Sequence, residues 1–252
     1  MGGLARQIMV AASLVGVWAV GGMAGVFSPE VLPPVNHVAV QLVALWARPE
    51  FLPALLGTLV DSVVGIVIAS AIAIPLGLLI GIFPLFERVT RVTLDFGRSF
   101  PVVALLPIFV LIIGANATMK ITTVAIACFF PILLQTIYGA RRLEPTLVET
   151  VRSFRISFGL RFYRVMLPAA LPYIATGLRI ATSVSVLVAV GTEVIIPVTG
   201  LGQQISLARI SNEVAVAFAY VIYAGLLGVV LSAVWEQVED RILPWSRRSE
   251  NT

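Results

Sequence analysis

Six long apolar runs separated by short polar segments set the pattern of this chain: Ile8 to Phe27, Leu55 to Phe83, Val102 to Ala117, Ile121 to Ala140, Ile174 to Ile196 and Val214 to Trp235. A helix that crosses a bilayer needs roughly 20 mainly apolar residues at about 1.5 Å of rise each, so each run predicts a span. No alternating short-strand pattern is visible, which argues against a β-barrel. The segment Ser28 to Pro53 is proline-rich at both ends and predicts a short amphipathic helix over Val38 to Trp46. Trp46, followed by Arg48, suits the headgroup level of a membrane surface.

Composition agrees with a bilayer protein. Hydrophobic residues make up 59% and charged residues 12%, with a mean hydropathy of +1.01, too apolar for a water-exposed exterior. The net charge of +4 raises the question of a nucleic-acid partner, and the placement of the charges answers it. With the N-terminus inside, Arg6, Arg88, Arg91, Arg98, Arg141, Arg142, Arg152, Arg155, Arg161, Arg164, Arg179, Arg241, Arg247 and Arg248 fall inside or at the inner boundary, against Arg48, Lys120 and Arg209 outside. That bias predicts cytoplasmic termini and leaves no case for nucleic acid.

Cys128 is the single cysteine and His37 the single histidine, so the sequence predicts no intrachain disulfide, no metal site and no Ser-His-Asp triad. The first run is too long for a typical signal-peptide core and lacks a small-x-small cleavage site, and it predicts a retained span. In the second run Pro75 predicts a kink and Gly77 and Gly81 predict close helix approach. Glu87 to Arg98 reads as a large inner loop.

The segment Glu149 to Pro168, ETVRSFRISFGLRFYRVMLP, mixes four arginines with Val151, Phe154, Ile156, Phe158, Leu160, Phe162 and Tyr163. A solvated loop has no need of so many large apolar groups, and aromatic residues make strong interface anchors. The reading is a cytoplasmic loop that a partner grips, with an amphipathic segment lying on anionic lipid as the plainer alternative.

Two acidic residues fall inside predicted spans. Asp61 lies near the outer end of the second. Glu193, late in the fifth, falls with Thr182, Ser185 and Thr192 within an arc of roughly 100° on a helix. A carboxylate at a helix centre costs about 2.5 to 3.5 kcal/mol on insertion scales, so it faces a cavity or a partner. The stripe is the candidate lining of a translocation path, in which Glu193 shapes or gates passage, since its charge repels an anion at close range. The plainer reading is helix joining.

The order and spacing of Glu149 to Pro168 resemble the EAA loop of ABC-importer permeases. Glu149 takes the Glu position, Thr150 and Val151 replace the two alanines, and Val165, Leu167 and Pro168 fall on the closing Ile, Leu and Pro. The departure is Arg155, which stands where the family has Gly; the chain's own glycine follows at Gly159. The sharp turn is therefore expected either with Arg155 in an ordinary right-handed conformation or shifted toward Ser157 to Gly159. Phe154 completes the set of candidate coupling residues. Arg98 with Ser99-Phe100-Pro101 and Leu106-Pro107 resembles a proline-spaced stretch of nitrate, taurine and sulfonate permeases, where irregular backbone re-enters the membrane beside the path.

The resemblance spans about Leu55 to Trp245 and points to the permease subunit of a type I ABC importer, closest to the nitrate, taurine and aliphatic-sulfonate branch. It implies an all-α integral membrane protein with six transmembrane helices, divided as 1–54 (first helix and outer linker), 55–245 (permease domain) and 246–252 (tail). It also implies a bacterial inner-membrane location, two ABC ATPase subunits, a second and identical permease, a periplasmic or lipid-anchored solute-binding protein and a lipid surround. No catalysis or cofactor is expected in this chain, with ATP and Mg held by the partner ATPase. No G-x-x-x-x-G-K-[ST] occurs, and Gly200-Leu201-Gly202-Gln203-Gln204, faintly like an ABC signature, falls in an outer loop. A permease of another substrate branch, an ion-driven carrier and an intramembrane enzyme are the rival readings. The solute is not legible.

Overall fold

The computed structural model describes residues 3–24, 28, 30–142, 153–154 and 156–243, and the regular elements among those residues are helices, with no strand. The helices are α1 (Gly3–Met23), α2 (Val35–Ala44), α3 (Phe51–Ile82), α4 (Pro84–Ser99), α5 (Leu106–Ile113), α6 (Ala117–Arg141), α7 (Phe158–Ile195), α8 (Leu201–Ile210) and α9 (Val214–Ile242). Tight 3₁₀ turns follow α2 at Leu45–Ala47 and precede α5 at Val102–Leu105.

The centre is a layer of three long helices, with α6 between α3 and α7. Small residues let the backbones close in: a Cβ on Gly77 of α3 would lie 2.7 Å from Thr136 Cβ of α6, so the close approach expected at this glycine is present. Ala69, Ala73, Cys128, Ile132 and Ala181 form the shared core. A second cluster joins α2, α8 and α9 around Tyr220 and Phe51, and α1 leans on it through Trp18, whose ring lies 5.9 Å from that of Phe218. The outward faces stay apolar and uncovered, as at Val67 (60% exposed) and Ile72 (56%) of α3, as expected of residues that meet lipid.

Several sequence expectations need correction. Among the described residues four helices, α3, α6, α7 and α9, are long and apolar enough to cross a membrane, or five if the bent pair Leu85–Ser99 and Val102–Ile113 counts as one. The expected third span, Val102 to Ala117, is not one straight helix: its helical part ends at Ile113, and the axis turns by 85° from that of α4. Pro101 and Pro107 remove backbone donors around this bend, and Gly114, at φ +89°, ends α5 in a conformation that favours glycine. The first run falls on α1, helical over the 21 residues Gly3–Met23, and its last residues, 25–27, lie outside the described residues. The expected loop Glu87 to Arg98 is instead the body of α4.

Pro168 and Pro172 each remove a backbone donor, yet α7 continues through both over 38 residues. A π turn at Phe162–Met166 directly precedes Pro168. That wider turn opens the backbone where the proline ring would press on the carbonyl four residues earlier.

Candidate functional site

Asn116 starts α6 by accepting a hydrogen bond from Met119 N–H at 3.0 Å, an N-cap that fixes which way the first turn faces. That turn sends Lys120 inward, where the residue is 1% exposed. The same end of the molecule brings Thr58 and Asp61 from α3 and Glu193 from the last turn of α7, followed by the return loop and the start of α8. Lys120 Nζ donates to Asp61 Oδ2 at 2.7 Å, to Glu193 Oε1 at 2.8 Å and to the Thr199 carbonyl at 2.7 Å. An ammonium has three donors, and all three are used.

Glu193, also 1% exposed, is as fully held. Its Oε2 accepts from Gly202 N–H at 2.8 Å, in the first turn of α8, where backbone donors have no partner within the helix and negative charge is favoured. Thr58 Oγ1 lies 2.9 and 3.0 Å from the two carboxylate oxygens and accepts from Leu201 N–H at 2.9 Å. The loop glycines are required by closeness: a Cβ on Gly200 would overlap the Glu193 carboxylate, and one on Gly202 would overlap the Val190 carbonyl. The arrangement clamps the loop before α8 onto α3, α6 and α7 at once.

The other members of the stripe are buried beside it. Thr182 Oγ1 donates to the Arg179 carbonyl at 2.7 Å and Ser185 Oγ to the Thr182 carbonyl at 2.8 Å, while Thr192 Oγ1 is buried without a partner among the described residues. All four residues pack inside the described chain. A groove of about 840 Å³ lies on a different face of α7, against α9, and is lined by Ser183, Leu187, Gly191, Gly225 and Ser232.

Of the candidate coupling residues, Glu149, Thr150, Val151 and Arg155 lie outside the described residues. Phe154 is 75% exposed, and Phe158, Leu160 and Tyr163 are exposed as well. Gly159 lies in the first turn of α7 with open space where a Cβ would go, so no left-handed turn is located at that residue. Leu167 packs onto the cluster of Leu78, Ala140, Ala170 and Ile174, and Pro168 sits in the helix beside it. Phe158 and Phe162 line an apolar cavity of about 440 Å³ against Ile74, Leu78 and Phe83 of the α3 end.

Sequence reading placed Lys120 in an outer loop and treated Asp61 as an ordinary near-surface acid. The usable signal was the lone lysine at the start of one span with two carboxylates in neighbouring spans at the same membrane end. Thr58, Gly200 and Gly202 carried no such mark. Among the described residues no three His, Cys, Asp or Glu side chains converge as a metal site would require.

Residues 73–244 match the family described as binding-protein-dependent transport system inner membrane component. The chain is 29% identical over 252 residues, 98% of its length and 90% of the relative's, to SsuC of Bacillus subtilis (strain 168), which bears the name of an aliphatic sulfonates transport permease protein. It is 26% identical over 251 residues to the taurine transport system permease protein TauC of Escherichia coli (strain K12), covering 96% and 91% of the two chains. A bicarbonate transport system permease protein, CmpB of Synechococcus elongatus, is 32% identical over 185 residues, 73% of this chain and 64% of the relative. In fold, an inward-facing MetNI methionine ABC transporter chain superposes with a TM-score of 0.61 at 19% identity, covering 72% of this chain and 91% of the other. An amino acid ABC transporter chain gives 0.59 at 18% identity, covering 79% and 97%.

Proposed function

Because this chain belongs to the binding-protein-dependent transport system inner membrane component family, we propose that it is the membrane path of an ATP-driven importer for a small organic or inorganic anion. The relatives named for sulfonates, taurine and bicarbonate support the solute class. Two copies of the chain pair in the bacterial inner membrane with cytoplasmic termini, each engaged by one ABC ATPase, and an extracytoplasmic binding protein delivers the solute. ATP and Mg chemistry resides in the ATPase. This chain converts the closure of the motors into a switch between inward-facing and outward-facing states, a population shift driven by differential binding.

One observation carries the coupling: Phe154, Phe158, Leu160 and Tyr163 are large, apolar and exposed in a segment with four arginines, at the start of the helix whose last turn carries Glu193. A docked ATPase covers those groups, and a push there is transmitted along α7 to the clamp at its far end. We read that clamp, with Thr182, Ser185, Thr192 and Glu193, as the outer latch of the path. The test is to co-express the tagged chain with its candidate ATPase and binding protein. Co-isolation of the ATPase, with hydrolysis stimulated by the loaded binding protein, is the expected result; an ATPase that neither co-isolates nor responds contradicts the proposal.

A further inference from the structure

Arg98 stands where the chain turns at mid-height of the helical layer. Three contacts fix the height of α4 along α6. Glu87 accepts from Arg141, the last residue of α6, at 2.6 Å. Leu94 packs into the core cluster with Val124, Cys128 and Ile132. The ring of Phe130 occupies the space that a side chain on Gly97 would need. From Arg141 to Phe130 the rise of α6 is about 16 Å, roughly half of a bilayer's hydrocarbon thickness. Gly97 and Arg98 therefore lie deep in the layer, although Arg98 reads from sequence as an inner-boundary charge.

Three faces of α4 have different surroundings. Leu94 and Gly97 point to the body of the molecule. Leu85, Val89, Val92 and Phe96, spaced by three and four residues, form an apolar stripe that is 66% exposed or more at each position. Arg91, Asp95 and Arg98 occupy the remaining face. An arginine facing hydrocarbon at this depth is costly, so the charged face belongs to a water-filled space.

The last residue of that face, Arg98, borders a cavity. A cavity of about 270 Å³ opens at the bend, bounded by Arg98, Phe100 and Val102, by Phe130 and Leu134 of α6 and by Val188 of α7. Arg98 is the one charged residue in its lining. Asp95 Oδ1 meets a terminal nitrogen of Arg98 at 3.1 Å, and both side chains are more than half exposed. A guanidinium has five N–H donors, so this contact leaves donors for a second acceptor.

We propose that Arg98 is the anion-contact residue of the translocation path, its guanidinium taking two oxygens of a passing sulfonate, carboxylate or similar oxyanion at the bend between α4 and α5. The planar fork of arginine suits such bidentate contact, and a weak, solvated tie to Asp95 is readily exchanged for the solute. The apolar remainder of the cavity holds the solute's carbon portion without a competing charge. This assignment rests on the anion-importer reading, but its test does not need the native solute.

The probe is the substitution Val102→Cys in a Cys128→Ser background, in the full chain assembled with its ATPase in membranes. The reaction rate of the new thiol is measured with an anionic reagent, the ethylsulfonate methanethiosulfonate, and with the cationic ethyltrimethylammonium analogue. With Arg98 present the anionic reagent reacts faster relative to the cationic one, and Arg98→Gln lowers that ratio by about fivefold or more, the effect of one nearby unit charge in a partly dry site. Arg98→Lys keeps the ratio and serves as the folding control. An unreactive thiol at position 102, or a ratio unchanged by Arg98→Gln, overturns the proposal even where the ATPase co-isolates normally. Failure of the ATPase to co-isolate counts instead against the importer reading, and the same rate ratio is then measured on membranes that hold the full chain without the ATPase, where the same two outcomes decide the role of Arg98.

Discussion

Lys120 Nζ and Glu193 Oε1 lie 2.8 Å apart, joining the first turn of α6 to the last turn of α7 in a site closed to solvent. With Asp61 the cluster holds one positive and two negative charges, so its members are not equivalent. Lys120→Met leaves two buried carboxylates without a counterion, a loss of about 3 to 5 kcal/mol. Glu193→Gln leaves Lys120 paired with Asp61 and should cost clearly less. Thermal unfolding of the purified protein checks the order, and equal melting temperatures for the two variants contradict it.

The latch reading adds a functional expectation for the milder variant. Glu193→Gln keeps the side-chain shape but weakens the hold on the loop before α8, so stimulation of the ATPase by the loaded binding protein should change while the complex stays assembled. Wild-type stimulation with only a lowered melting temperature assigns Glu193 to stability alone.

Glycine positions divide by what a methyl group would meet. Gly202→Ala sets a Cβ against the Val190 backbone carbonyl, which cannot swing away as a side chain does, so a loss of about 1 to 3 kcal/mol is expected. Gly159→Ala meets open space within a helix, where alanine is favoured over glycine by roughly 0.5 to 1 kcal/mol. Melting temperatures should fall for the first and hold or rise for the second.

Phe154→Ala and Tyr163→Ala remove exposed rings, 75% and 69% accessible, and should leave the melting temperature of the chain alone within about 0.5 kcal/mol. Each should weaken ATPase co-isolation or uncouple hydrolysis from uptake. Retained coupling in both variants places the motor elsewhere.

Much of the architecture was readable because period and length alone decide it. Runs such as Leu55 to Phe83 have no stable alternative to a helix in lipid. The stretch Val102 to Ala117 misled because hydropathy is blind to axis direction: an apolar run with prolines at its start scores as a span whether or not its axis lies 85° off that of the helix before it. Lys120 misled for a related reason. Charge counting treats a lysine at the end of a run as solvated, whereas its burial depends on Asp61 and Glu193, each far away in sequence, meeting at one atom. The Glu149 to Pro168 segment was legible as an interaction surface from its composition, but the position of its turn is a backbone property that Arg155 and Gly159 do not announce.

Topology is checked by the single substitutions Ser28→Cys and Ser153→Cys in a Cys128→Ser background. An impermeant thiol reagent applied from outside should label the thiol at position 28 and spare the one at position 153. The reverse pattern inverts the orientation inferred from the arginine distribution.

The most direct measurement of the central claim is transport by the purified complex of this chain, its ATPase and its binding protein in liposomes, with radiolabelled taurine, an alkanesulfonate and bicarbonate tried in turn. The account predicts that at least one of these anions moves from the binding protein's side to the ATP side only when ATP and the binding protein are both present, and that Phe154→Ala reduces this flux. Accumulation without ATP, or accumulation driven by an ion gradient alone, would contradict it.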